Sequence, residues 1–194
     1  ETVVLADETS NATLCAADLI AQAEHDPMAK PVLITTSKQL ADRVTSELIT
    51  RLQTLDRADI IEASLGSQGV IAIVDDINEG IELANYFAPE HLCLATKDPQ
   101  SLLPQVKNAG MVFLGEFSHE VLGDYGAGPS HVMPTAGTAR FNSGLGIHTF
   151  TKQIPIVSLS GQNAIQMTES VSVIAREEGL TGHAEAAEIR RELI

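Results

Sequence analysis

Short, wholly apolar runs alternate with longer segments of helical periodicity along the first two thirds of this sequence, and that alternation restricts the fold more than any other feature. TVVLAD (2–7), PVLITTS (31–37), GVIAIVDD (69–76), HLCLAT (91–96) and GMVFLG (110–115) read as strands. Strands without a polar face must be covered on both sides, which a parallel sheet between two layers of helices achieves. The expectation is therefore a three-layer α/β fold with a mostly parallel, incomplete Rossmann-like sheet.

The intervening segments support this reading. In ETSNATLCAADLIAQAEHD, Ser10 or Asn11 can cap a helix whose Leu14, Ala17, Leu19, Ile20 and Ala21 recur at roughly helical spacing. SKQLADRVTSELITRLQTL repeats the pattern, with Ser37 as cap and Leu40, Leu48, Leu52 and Leu55 on one face. RADIIEASLGS, INEGIELANYFA and PQSLLPQVKNA complete the expected helices of the sheet region.

From 117 to 146 the texture changes to FSHEVLGDYGAGPSHVMPTAGTARFNSGLG, rich in glycine, proline, serine and threonine. A long irregular stretch in a compact domain is commonly functional or disordered, and its Asp124, Tyr125, His131 and Arg140 favour function. Helical patterns then return in QNAIQMTESVSVIAREEG and HAEAAEIRREL, joined by Leu180, Thr181 and Gly182. Two such helices cannot enclose a core of their own. The expected division is an α/β domain over 1–143 and a helical tail over 144–194 that packs on the α/β domain or on another subunit.

With 26 acidic against 12 basic residues the formal charge is −14, and no Lys/Arg cluster interrupts it. Such a field repels phosphate backbones and anionic lipid, so neither nucleic acid nor a membrane is an expected partner. Cys15 and Cys93 stand far apart, with no CxxC spacing. A reducing cytoplasm, or a plastid stroma in a plant, fits. The chain opens directly on a strand, which reads as part of a longer protein.

Three local patterns could carry chemistry. In YFAPEHLCL an acid and a base, Glu90 and His91, follow Pro89 immediately before an apolar run, although a proline stop with two polar turn residues would produce the same string. In AQAEHD, Gln22 and His25 are three apart and would share one helical face. With Asp124 in the irregular stretch and His183 just beyond the short link between the last two helical patterns, they could form a sulfur-free N/O site suited to Zn²⁺. Spacing leaves the alternative open, a helix-face histidine, a turn aspartate and a solvated histidine. Neither GAGPSH nor GLG has the form of a nucleotide-binding glycine loop.

Taken together, DLIAQAEHDP, NYFAPEHLCL, NAGMVFLGEFS, GDYGAGPSHVMPTAGTARFNSGL and AREEGLTGHAEAAEIR resemble the histidinol dehydrogenase family, in order and across essentially the whole chain. The resemblance implies an NAD-dependent, zinc-dependent enzyme that oxidises L-histidinol through L-histidinal to L-histidine, the last step of histidine biosynthesis. It further implies Gln22, His25, Asp124 and His183 as zinc ligands, one ion per subunit, and Glu90 and His91 as the catalytic pair. His131 and Glu178 match substrate-contacting positions, beside Gln22, His25, His91, Asp124 and His183. By the same resemblance His183 and Glu178 come from the partner of a homodimer. The residues that grip NAD lie in family segments before Glu1, so this chain is expected to have little activity alone. His119 and His148 match no functional position.

Three alternatives remain, the blandest a flavodoxin-like α/β domain with an unrelated small-molecule role, which does not account for the long polar stretch with its Asp, Tyr, His and Arg. Another is a related zinc and NAD dehydrogenase of another small polyol. The last is a noncatalytic metal-binding dimerisation module.

Overall fold

The computed structural model describes residues 1–193, so residue 194 of the expected tail lies outside the described residues. The chain forms two compact units, Glu1–Phe150 and a second beginning at Thr151.

In the first unit, β1 (Thr2–Ala6), β2 (Pro31–Thr35), β3 (Val70–Ile73), β4 (His91–Ala95) and β5 (Met111–Leu114) form one sheet in the order β3-β2-β1-β4-β5. Every pairing is parallel. Helix α1 (Ala12–Ala23) links β1 to β2, α2 (Lys38–Leu52) and α3 (Ala58–Ser67) link β2 to β3, and α4 (Ile77–Phe87) carries the chain across to β4. Strand order thus reverses between β1 and β4, as in open doubly wound sheets.

Side chains alternate across the sheet. Val4, Ala6, Cys93, Ala95 and Phe113 join Leu19, Leu40, Val44 and Ile61 of α1, α2 and α3 in one core layer. Val3, Leu5, Ile34, Leu92 and Leu94 join Ile81 and Ala84 of α4 in the other. Leu5, Leu33, Ile34, Leu92 and Leu94 are completely buried, and each such side chain contributes roughly 1.5–3 kcal/mol of transfer free energy. By the same alternation Thr2 and His91 face the α1 layer.

Asn11 caps α1, its side chain accepting from Thr13 N–H, and Ser37 caps α2 by accepting from Leu40 N–H. Ser10, the other expected cap, instead receives Asp7 N–H and donates to the Ala95 carbonyl.

Three elements depart from expectation. Strand β3 is an edge, with Val70, Ile71 and Ile73 exposed rather than covered. The helix expected over 99–109 is only α5 (Pro99–Leu102) and a 3₁₀ turn, Leu103–Gln105, after which Val106 is extended; Pro104 lacks the N–H that would continue the ladder. Within the stretch expected to be irregular, α6 (Glu120–Tyr125) forms. Its six residues are too few to display periodicity, and it is held by packing: a Cβ at Gly123 would stand 2.7 Å from the Phe113 ring and 2.9 Å from Met111 Sδ.

The second unit consists of α7 (Gly161–Glu177), α8 (Thr181–Glu188) and a 3₁₀ turn, Ile189–Leu193. Ser160 caps α7. At its far end Gly179 has φ +76°, and Leu180 N–H closes the turn onto the Ala175 carbonyl (2.8 Å). Small side chains, Ser172, Ala175 and Ala184, are buried within the pair, while Met167, Val171, Val173 and Ile174 of α7 remain exposed. Among the described residues no helix is long and apolar enough to cross a membrane.

Candidate active site

A cleft of about 280 Å³ is lined by Gln22, His25, Glu90, His91, Asp124, Tyr125 and His131. It opens at the amino edge of the sheet, where β1 and β4 begin and α1 ends. A more open hollow of about 560 Å³ between the start of α1 and α2 contains no facing acid and base of this kind, only Asp42, Arg43 and Glu47 of one helix among its charged groups.

The chain enters β4 through a constrained turn. Ala88 adopts the left-handed region at φ +55°, its N–H closing α4 onto the Ala84 carbonyl (2.9 Å), and Pro89 prevents the helix from resuming. Glu90 follows in a bend and His91 opens the strand. On one side His91 N–H donates to the Glu1 carbonyl (3.0 Å); on the other, Gly110 N–H donates to Pro89 O (2.9 Å) and Met111 N–H to Glu90 O (2.8 Å). Both neighbouring strands thus clamp the acid–base dipeptide.

His91 is 5% exposed. Its Nδ1 stands 3.4 Å from Thr2 Oγ1 and 3.7 Å from Glu120 Oε2, and its Nε2 is 3.6 Å from Asp124 Oδ1. The ring tilts against Phe113 at 5.8 Å. Nε2 is buried and has no hydrogen-bond partner. Burial lowers the His91 pKa, opposed by the negative charges of Glu90 and Asp124. The ring is therefore biased toward neutral imidazole, the form that accepts a proton.

Beneath it lies a buried polar knot. Thr2 Oγ1 hydrogen-bonds Gln22 Oε1 (2.7 Å) and Glu120 Oε2. Burial pushes the Glu120 carboxyl up to about 8, partly offset by the Thr2 contact and reinforced by Asp18.

Gln22 and His25 both line the cleft but do not share a helix. Helix α1 ends at Ala23, and His25 lies in the turn after the Glu24 cap, with its N–H on Gln22 O (3.3 Å) and Nδ1 3.0 Å from Ala21 O. The turn retains helical direction long enough to keep the pair together. Asp124, expected in a loop, projects from the last turn of α6. Amide, imidazole and carboxylate are donors of the right type for a borderline divalent ion. As a set they are incomplete: among the described residues no three His, Cys, Asp or Glu side chains form a metal-holding group. Glu178 and His183 belong to the helical unit, Glu178 as the cap of α7 and His183 in the first turn of α8, both exposed.

Thr2 and Glu120 were not singled out from sequence. The only available signal for Glu120 was its place four residues before Asp124, one helical turn, which matters only once α6 is known to exist. Tyr125 lines the cleft beside Asp124.

A family model described as histidinol dehydrogenase matches residues 1–191. The chain is 50% identical over 186 residues to histidinol dehydrogenase of Dehalococcoides mccartyi, covering 96% of this chain and 43% of that protein. It is 49% identical over 191 residues to the Thermus thermophilus protein of the same name, covering 98% and 46%. A crystal structure of histidinol dehydrogenase from Elizabethkingia anophelis superposes with a TM-score of 0.90 at 33% identity, covering 98% of this chain and 44% of that one. The chain thus spans less than half the length of the relatives it matches.

Proposed function

The chain belongs to the histidinol dehydrogenase family, and from that premise we propose that it carries the acid–base and metal-binding part of an oxidoreductase of histidine biosynthesis. The reaction is the NAD-dependent, zinc-dependent oxidation of L-histidinol, through L-histidinal, to L-histidine. One observation supports it above the others: Glu90 and the neutral-biased His91 open onto the same cleft as Gln22, His25 and Asp124.

The roles follow from chemistry. Oxidising an alcohol requires a base that removes the hydroxyl proton as hydride departs, and imidazole is suited to this near neutrality. His91 takes that proton on its imidazole ring. The aldehyde cannot release a second hydride until water adds to it. Glu90 deprotonates that water, and His91 assists the second oxidation. When bound, zinc would hold the imidazole and amino nitrogens of the substrate while NAD accepts hydride. Gln22, His25 and Asp124 would hold the ion, with His183 of a second copy completing the set.

His131 on the cleft wall, and Glu178 of the second copy, contact the substrate. The shared ligands make the functional unit a homodimer, and the exposed apolar face of α7 suits burial in one. The net charge of −14 favours a cationic amino alcohol as substrate. The proposed compartment is the cytoplasm. Complete turnover belongs to an assembly that also contains the remaining part of the longer relatives.

Metal content after dialysis tests the proposal, beside His25→Ala and His183→Ala. About one zinc per chain, lost in both variants, is expected from a four-ligand site. Histidinol-dependent NADH formation should appear when the chain is combined with the complementary segment of a full-length relative, and vanish in His91→Ala. Turnover of simple diols in preference to histidinol would overturn the substrate assignment.

A further inference from the structure

Asn85, in the last turn of α4, directs its whole side chain to the stretch of chain that approaches β5. Its Oδ1 accepts from Lys107 N–H (2.7 Å) and Asn108 N–H (3.1 Å), and its Nδ2 donates to the Gln105 carbonyl (2.9 Å). In return Asn108 Nδ2 donates to the Asn85 carbonyl (3.0 Å), one of the acceptors that a helix leaves open at its end. Pro104 has already broken the helical ladder here. One amide side chain thus supplies the partners that a continued helix would have given these backbone groups.

The stretch leads straight into Gly110 and Met111, whose N–H groups donate to Pro89 O and Glu90 O. Strand β5 is an edge, paired with β4 alone, so the placement of its first residues depends on how the chain arrives. The helix end is the firmer side of this contact: Ile81, Ala84 and Ala88 are at most 2% exposed, whereas Val106 and Ala109 are only partly buried. Truncating Asn85 therefore releases the loop and not the helix. His91 is held from the opposite side, by its N–H on the Glu1 carbonyl and its register with Thr2 of β1. Adjacent in the chain, Glu90 and His91 take their places from different neighbours.

We infer that Asn85 is a positioning residue for Glu90: through segment 105–110 it sets where that carboxylate stands in the cleft, while leaving His91 in place. What Glu90 does there rests on the dehydrogenase reading above, in which His91 serves the first oxidation and Glu90 activates the water that must add before the second. Loss of Asn85 should then separate the two oxidations. A residue that merely stabilised the fold would weaken both alike.

Two measurements test this. In the chain itself, amide hydrogen exchange of Asn85→Ala should quicken at Gly110 and Met111 and stay unchanged at His91. In the complete enzyme, the same variant should lower kcat for histidinal oxidation by up to about 100-fold, with KM little changed. The first NADH formed from histidinol on rapid mixing should keep its rate. Asn85→Asp, which keeps the acceptor and loses the donor, should fall between parent and Ala. Asn108→Ala should act in the same direction, and decides the matter if Asn85→Ala does not fold. Unchanged exchange at Gly110 and Met111, or equal slowing of both oxidations, overturns the inference. If exchange responds as stated but the parent enzyme oxidises neither compound, the dehydrogenase reading fails and the placement of Glu90 by Asn85 stands.

Discussion

Gly110 lies directly against the backbone of Glu90: a Cβ at residue 110 would stand 2.6 Å from the Glu90 carbonyl oxygen and 3.3 Å from its Cα. The obstacle is backbone, held by its own ladder bonds, so it cannot rotate aside. Gly110→Ala should therefore cost about 1–3 kcal/mol of stability and displace Glu90 and His91 from the cleft floor. Urea unfolding gives the first effect. An unchanged His91 ring signal alongside full stability would contradict the fit.

Stability should fall with rising pH through the Glu120 transition. Its carboxyl titrates near 4.5 when unfolded and about 8 when folded, raised mainly by burial. The folded state therefore retains a proton that the unfolded chain releases, and the resulting stabilisation is complete below pH 4.5 and lost as pH rises through 8. Asp18, raised to about 6 by burial and by Glu116, adds a slope of the same sign at lower pH. Denaturant midpoints from pH 4 to 9 should decline in the parent and flatten above pH 6 in Glu120→Gln. A parallel decline in that variant would place the slope elsewhere.

His91 titrates in the opposite sense. Burial lowers its pKa below the usual 6.5, against the pull of Glu90 and Asp124, so the neutral base persists into mildly acid solution. The acid limb of kcat against pH in the complete enzyme should lie below pH 6.5. His91→Gln should lower kcat by about 10²–10⁴-fold. A limb at higher pH would mean that another group controls proton removal.

Leu5 and Gly80 share one space, since a Cβ at Gly80 would meet Leu5 Cδ1 at 2.6 Å. Leu5→Ala should destabilise by about 2–5 kcal/mol through the cavity it leaves. Gly80→Ala crowds that space in the parent but fits once the leucine is truncated, and gains up to about 1 kcal/mol of helix propensity. The double variant should be more stable than the two single effects sum to, by about 0.5–3 kcal/mol. Strict additivity in thermal unfolding would refute the shared space.

Some of this was legible because the signal is local. The buried strands β1, β2 and β4 declare themselves by having no polar face, and Asn11 and Ser37 by the short hydrogen bonds that caps require. Exposure of Val70, Ile71 and Ile73 was not legible, because an edge strand and a central one can have the same apolar string. Helix α6 depends on Gly123 meeting Phe113, a contact between residues that no periodicity connects. Glu90, His91, Gln22, His25 and Asp124 were found through motifs, yet what supports them, Thr2 and Glu120, becomes visible only when β1 and β4 are paired in register.

The amino-edge position of the cleft divides it mechanically. Thr2 and His91 are strand residues, fixed by ladder bonds to β1, β2, β4 and β5, whereas Asp124, Tyr125 and His131 lie on the segment that leaves β5. Hydrogen exchange should be slowest at the floor and fastest along the walls. Changes in the shape or charge of an accepted molecule can then accumulate in the walls at little cost to the base. Relatives that diverge in selectivity should differ first between residues 117 and 146, with the paired strands beneath acting as an inherited anvil.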